Sequence, residues 1–122
     1  MKKRLTCTLL VVVLAFSLFA VAFAASATMN AYPDGYSTAF FSQVVNNSVT
    51  VTQTTAAWQG TSGTVRWVLS DSNTGVAVDM DYVYGASSSS PLYAGTSGNT
   101  HMLRGFNQES TKLIVVYSYS IS

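Results

Sequence analysis

The amino-acid sequence predicts an all-β fold: a single antiparallel β-sandwich, jelly-roll-like, with six to eight short strands. Three observations support this class. Short apolar segments are separated by turn residues every eight to twelve positions, which is typical of sandwiches and jelly rolls. After residue 27, no segment has a helical hydrophobic period over ten or more residues. In residues 76–84, apolar and other side chains alternate with period two, as in a strand with one buried face.

The first 24 residues are typical of a secretory signal peptide. A Lys-Lys-Arg start at residues 2–4 precedes an apolar run at residues 9–23, which only Ser17 interrupts. Small residues then favour cleavage between Ala24 and Ala25. We therefore expect a protein that is secreted or held at the cell surface.

Two alternatives stay open for this segment. A second cleavage site lies before Thr28, after Ala25-Ser26-Ala27. Residues 5–25 are also long enough, at 21 residues, to cross a bilayer as a retained anchor. The alanine-rich end favours cleavage, so we expect no stable membrane insertion afterwards.

Residues 25–37 are expected to form an irregular lead-in, and residues 38–122 to form the sandwich. A strand is predicted at residues 38–45 because Asn46-Asn47 follows it, a pair that suits a two-residue hairpin turn. The returning strand would cover residues 48–55, where valine and threonine alternate.

The clearest hairpin signal lies in residues 64–84. The turn residues Asp-Ser-Asn-Thr-Gly occupy positions 71–75 between the two strands. One face of the first strand carries Val65, Trp67 and Leu69. Three large side chains are predicted to lie in the core: Trp67, Met80 and Tyr117.

The rest of the chain is predicted as a loop and two strands. Residues 85–99 form the loop, in which Leu92 and Tyr93 make a short strand, and residues 100–106 form the next strand. Residues 111–121 are apolar on both faces, which favours a central strand. At a sheet edge, the same segment would promote self-association because it is rich in β-formers and poor in charge.

Part of this pattern resembles a known family. The strand and aspartate-led turn of residues 65–75 are followed by Ala94-Gly95, then by Thr-His-Met-Leu-Arg at residues 100–104 and a final strand. This order is similar to that of small exported bacterial jelly-roll modules of the pre-peptidase C-terminal type. The resemblance covers residues 48–122 and implies an accessory or binding module without catalysis. The residues inserted after Gly95, and the missing family tyrosine there, depart from the pattern.

Charge and composition exclude several classes of function. Residues 25–122 carry three cations and five acids, a formal charge of −2, so no nucleic-acid partner is expected. They contain no cysteine for a disulfide or a zinc thiolate. His101 is the only histidine, and no Gly-x-Ser-x-Gly motif occurs, so we expect no enzyme, no catalytic residue and no cofactor.

Asp79 and Asp81 would share one face of a strand, which makes them weak candidates for a metal site. Calcium takes about six or more oxygen ligands, and only these two carboxylates can be named. We therefore expect no metal there. Solvated charges that block edge pairing explain the pair more simply.

Exposed aromatic rings are the more informative candidates. Residues 25–122 contain 12 aromatic side chains, more than a small core needs. Four that lie beside loops are the candidate ligand-binding residues: Tyr36, Trp58, Tyr84 and Tyr93. Rings flanked by hydroxyls and amides suit stacking on sugars. The alternative is that they only rim the core and anchor loops.

The sequence therefore predicts an exported, non-catalytic module that binds an extracellular ligand, with carbohydrate or cell-wall polymer first. A structural or self-assembling surface or matrix protein, associating through residues 111–121, is the alternative. A secreted bacteriocin-like antagonist is the third hypothesis.

Overall fold

The structure, a computed structural model, describes residues 23–33, 35–89, 91–95 and 99–122. The predicted signal peptide lies outside these residues, apart from Phe23 and Ala24. Within the described ranges, no helix has the length and hydropathy needed to cross a membrane.

Two antiparallel sheets pack face to face, which confirms the predicted all-β sandwich. The ten strands are β1 (Phe23–Ala31), β2 (Tyr36–Val44), β3 (Ser48–Trp58), β4 (Thr61–Ser62), β5 (Thr64–Asp71), β6 (Ala77–Tyr84), β7 (Ser87–Ser88), β8 (Leu92–Tyr93), β9 (Thr100–Asn107) and β10 (Leu113–Ile121). Seven of them have eight or more residues, and three have only two.

The strand order is jelly-roll-like. The six-stranded sheet has the order β1-β10-β3, and the short strands β4, β7 and β8 all pair with the remaining edge of β3. The four-stranded sheet has the order β2-β9-β5-β6. The chain thus crosses repeatedly between the sheets, and three short pieces take the place of one long edge strand.

The core lies between the sheets and is centred on Trp67 of β5. Its ring centroid is 4.8 Å from that of Tyr117 on β10, and both side chains are buried, as predicted. Gly105 of β9 pairs with Trp67, and a Cβ at this glycine would lie 3.0 Å from the indole ring. A residue without a side chain therefore lets the indole lie flat against its neighbouring strand.

A buried amide connects the two sheets. The Trp67 Nε1–H donates to Oε1 of Gln53 on β3 at 3.0 Å. Nε2 of Gln53 donates to the backbone oxygens of Val83 at 3.2 Å and Gly85 at 2.8 Å. A register shift in the pairing of β3 with β10 keeps both Gln53 and Ala56 turned towards the core, although they are three positions apart.

The N-terminal part of the domain corrects one prediction. The irregular lead-in predicted for residues 25–37 is a strand as far as Ala31, and β2 begins already at Tyr36. The backbone of β1 pairs with β10 along its whole length. This partner lies at the far end of the chain, so the local sequence of β1, rich in alanine, gave no strand signal.

The hairpin predicted around Asn46-Asn47 is also wrong, because β2 and β3 belong to different sheets. Neither asparagine has a positive φ. They connect the sheets instead of reversing the chain within one.

The final strand is placed as its apolar pattern predicts. β10 lies between β1 and β3, so its backbone is paired along both edges. Self-association through residues 111–121 depends on an exposed edge, which this strand does not have.

Candidate functional site

The outer face of the four-stranded sheet carries an unusual set of side chains. On β5, Val65, Trp67 and Leu69 belong to the core, so Arg66 and Val68 point to the opposite side. Residues paired across strands share a face. We call this surface the tyrosine–arginine face; its described members are Arg66, Val68, Met80, Tyr82, Tyr84, Met102, Arg104 and Phe106.

Three large side chains of the edge strand β6 are exposed on this face. The exposed fractions are 48% for Met80, 53% for Tyr82 and 62% for Tyr84. They recur at every second residue, a spacing of roughly 6.6 Å along the strand. The core position predicted for Met80 is therefore wrong. The pairing of Leu69 with Asp79 turns Asp79, Asp81 and Val83 inwards and these three outwards.

One cross-strand row contains an arginine between two aromatic residues. Arg66 pairs with Tyr82 on one side and with Phe106 on the other. The Arg66 guanidinium carbon lies 4.8 Å from the centroid of the Phe106 ring, within cation–π distance. Arg66 Nε is buried and has no hydrogen-bond partner among the described residues. Stacking therefore holds this guanidinium in place while its Nε makes no hydrogen bond to the described residues.

The carboxylates of β6 lie on the other side of the strand and bind its backbone. Asp79 Oδ1 accepts from the N–H of Met80, and Asp81 Oδ1 accepts from the N–H of Tyr82, both at 2.9 Å. Asp79 Oδ2 accepts from the N–H of Tyr93, also at 2.9 Å. In the described ranges, no group of three or more His, Cys, Asp or Glu residues could hold a metal ion. The two aspartates thus occupy backbone donors of the edge strand.

The four predicted ligand-binding aromatics do not form one site. Tyr84 lies on the tyrosine–arginine face, and the backbone of Tyr36 pairs with that of Phe106 in the same sheet. Tyr93 pairs with Ser48 at the start of β3, whereas Trp58 ends that strand. Eleven residues of strand separate their ends by roughly 33 Å.

Trp58 already has an intramolecular partner. The Lys112 ammonium lies 4.5 Å from the Trp58 ring centroid and 5.3 Å from that of Tyr32. This cation therefore occupies one face of the Trp58 ring.

A separate polar cluster lies at the opposite end of the four-stranded sheet. Asn99 Nδ2 donates to Asp71 Oδ2 at 2.7 Å, and the N–H of Asn73 donates to Asp71 Oδ1 at 2.8 Å. The Asn99 amide, followed by the Asn73 N–H, lowers the pKa of Asp71. Buried His101 donates from Nδ1 to the backbone oxygen of Asn99 at 2.8 Å, not to Asp71. The cluster fixes the turn after β5 and is not arranged as an aspartate–histidine pair.

No protein-family model matches the chain. A search of curated proteins also finds no match. The likeness to pre-peptidase C-terminal modules remains a prediction from residues 48–122.

Proposed function

We propose that this protein is an exported, non-catalytic β-sandwich module that binds an extracellular polymer, either carbohydrate or cell-wall polymer, through the tyrosine–arginine face. The observation that supports the proposal is the row Tyr82–Arg66–Phe106, with Tyr84 and Met80 exposed beside it. The leader-like residues 1–24 support export.

The chemistry of this face suits a long, polar ligand with apolar patches. Exposed rings offer apolar surfaces on which the C–H faces of sugars can stack. A stacked guanidinium offers fixed N–H donors to hydroxyl or anionic groups. Because Met80, Tyr82 and Tyr84 are exposed in a row along β6, they can contact several successive units of a polymer.

The other two hypotheses have less support among the described residues. A self-assembling surface protein would use a free strand edge, but β10 is paired on both sides and the Asp79 and Asp81 carboxylates bind donors on β6. For a secreted antagonist, no described residue gives a specific signal. Polymer binding therefore has the most support among the described residues.

The test measures binding of the protein, beginning at Ala25, to a panel of soluble and cell-wall polysaccharides by affinity electrophoresis and calorimetry. We expect Tyr82→Ala and Tyr84→Ala each to weaken binding about tenfold, as loss of about 1.4 kcal/mol of stacking would do. Tyr93→Ala is the matched control, because Tyr93 is exposed to 57% but lies off this face.

Two results would overturn the proposal. One is the absence of binding to every polymer in the panel by a folded protein. The other is an equal loss of binding in the Tyr93→Ala control, since the face would then not be the binding surface.

A further inference from the structure

We infer that the polymer bound by the tyrosine–arginine face is anionic, with carboxylate or phosphate groups repeated along its chain. This inference rests on the proposed function and deepens it by assigning the ligand's charge. It is argued from the distribution of charged residues over the domain and from the spacing of two arginines.

The cations of the domain are concentrated on this one face. Residues 25–122 contain three cations, Arg66, Arg104 and Lys112. Both arginines belong to the face, whereas Lys112 lies over the rings of Trp58 and Tyr32. The described members of the face therefore carry two positive charges, whereas residues 25–122 as a whole carry a formal charge of −2.

The described acids all lie elsewhere. Asp79 and Asp81 are on the inward side of β6 and bind backbone N–H groups. Glu109 Oε1 accepts from the N–H of Thr64 at 2.9 Å, and Asp71 is held in its turn. No described carboxylate is thus a member of the tyrosine–arginine face.

The two arginines are diagonal neighbours on adjacent strands. Arg66 pairs with Phe106, and Arg104 pairs with Val68 one outward position further along. Such diagonal positions lie roughly 7–8 Å apart. An anionic group would complement these two positive charges, and planar guanidinium groups match carboxylate and phosphate geometry.

The experiment compares two polymers with the same backbone. Polygalacturonate carries a carboxylate on each sugar, and its fully methyl-esterified form carries none. We expect polygalacturonate to bind at least about tenfold more tightly, because a charge-assisted hydrogen bond contributes about 1.5–3 kcal/mol. Its affinity should fall steeply as salt is raised. The affinity for poly(glycerol phosphate) is measured in parallel. The anionic polymer that binds more tightly identifies whether the face prefers carboxylate or phosphate.

Single substitutions test which cations cause the preference for the anionic polymer. Arg66→Gln and Arg104→Gln should each reduce polygalacturonate binding about tenfold and flatten its salt dependence. Lys112→Gln, which removes the one cation outside the face, should change neither. Because Arg66 is partly buried, Arg66→Lys is included, and thermal unfolding checks that each variant is folded. The lysine variant should retain the salt dependence that the glutamine variant loses.

The possible failures are distinguishable. If the esterified and acidic polymers bind equally and Tyr82→Ala abolishes both, the anionic assignment is wrong and the proposed function stands. If neither these polymers nor the wider panel bind, both proposals are wrong. If sedimentation finds a dimer that Tyr82→Ala dissociates, a second copy of the chain covers this face and the anionic-polymer assignment falls.

Discussion

At the scale of single residues, Gln53 shows how a buried polar group can hold a sandwich together. It satisfies one donor on Trp67 and two backbone acceptors, at Val83 in β6 and at Gly85 just after it, and its own side chain is buried. Leucine has nearly the same size but no polar atoms, so it would remove all three of these buried hydrogen bonds. A buried group left unsatisfied costs about 1–3 kcal/mol.

We therefore expect Gln53→Leu to lower the free energy of unfolding in urea by about 2–4 kcal/mol. Thr54→Val is the control, because Thr54 is exposed and adjacent in the same strand. This change should shift stability by less than about 0.5 kcal/mol. Equal effects at the two positions would show that the amide does not connect the sheets.

Asp71 is the residue whose ionisation should affect stability in acid. The Asn99 amide is the main cause of its lowered pKa, and the backbone N–H groups of Asn73 and Thr74 act in the same direction against burial. Because the pKa is lower in the folded state than in the unfolded state, this contribution is complete above the unfolded value. It is lost as pH falls through the folded value.

We expect Asp71→Asn to be less stable than the wild type at pH 7 and to lose less of its stability between about pH 5 and pH 2. Urea unfolding at several pH values measures this. Asn99→Ala, which keeps the carboxylate, should raise the pKa of Asp71 in an NMR titration. Parallel pH profiles for the wild type and Asp71→Asn would contradict this account.

At the scale of elements, the edge strand β6 combines an exposed apolar face with protection against pairing. Inward-pointing charges are a known means of discouraging strand addition. Here the protection is specific, because the Asp79 and Asp81 carboxylates accept the N–H groups of Met80 and Tyr82.

Replacing both aspartates by alanine should free these donors and produce concentration-dependent self-association, measured by sedimentation velocity. Replacing both by asparagine is the control, since asparagine loses the charge but keeps an oxygen that accepts the same hydrogen bonds. We expect the asparagine protein to stay largely monomeric. If the two proteins associate to the same extent, the edge is protected by the negative charge and not by the hydrogen bonds to the backbone N–H groups.

The elements that could be predicted are those whose own residues carry a turn or strand pattern. The turn after Leu69 and the double-sided apolar pattern of β10 were sufficient to place a hairpin and a central strand. By contrast, β1 depends on a partner almost the whole chain away, and its own residues are poor strand formers.

The candidate site was only partly predictable for a related reason. Alternation along β6 separates two faces but does not say which one is buried, and the larger apolar side chains suggested the wrong one. The register with β5 decides this, and it alone brings Arg66 and Phe106 into line with Tyr82. Tyr84 was therefore identified from sequence, whereas those three residues were not.

At the scale of the whole molecule, the completeness of the larger sheet depends on where the chain starts. Cleavage before Ala25 removes two residues of β1, whereas cleavage before Thr28 removes five, including the partners of Tyr117 and Tyr119. We expect the protein beginning at Thr28 to be less stable by about 1–3 kcal/mol, because about two or three ladder hydrogen bonds are lost.

Thermal and urea unfolding of the two proteins measures this difference. A protein beginning at Ala25 with Ser26→Ala is the control, because the Ser26 side chain is exposed and its backbone pairing with Ser118 is kept. Equal stability of the proteins beginning at Ala25 and Thr28 would show that the start of β1 contributes little.

The pairing of β1 with β10 joins the first and last strands of the domain. Contacts between residues so distant in sequence slow folding, because a long loop must close before they form. The larger sheet also cannot be completed until the C-terminal residues have left the ribosome. A chain with this topology therefore completes its larger sheet late in folding, after strands that are close in sequence have paired.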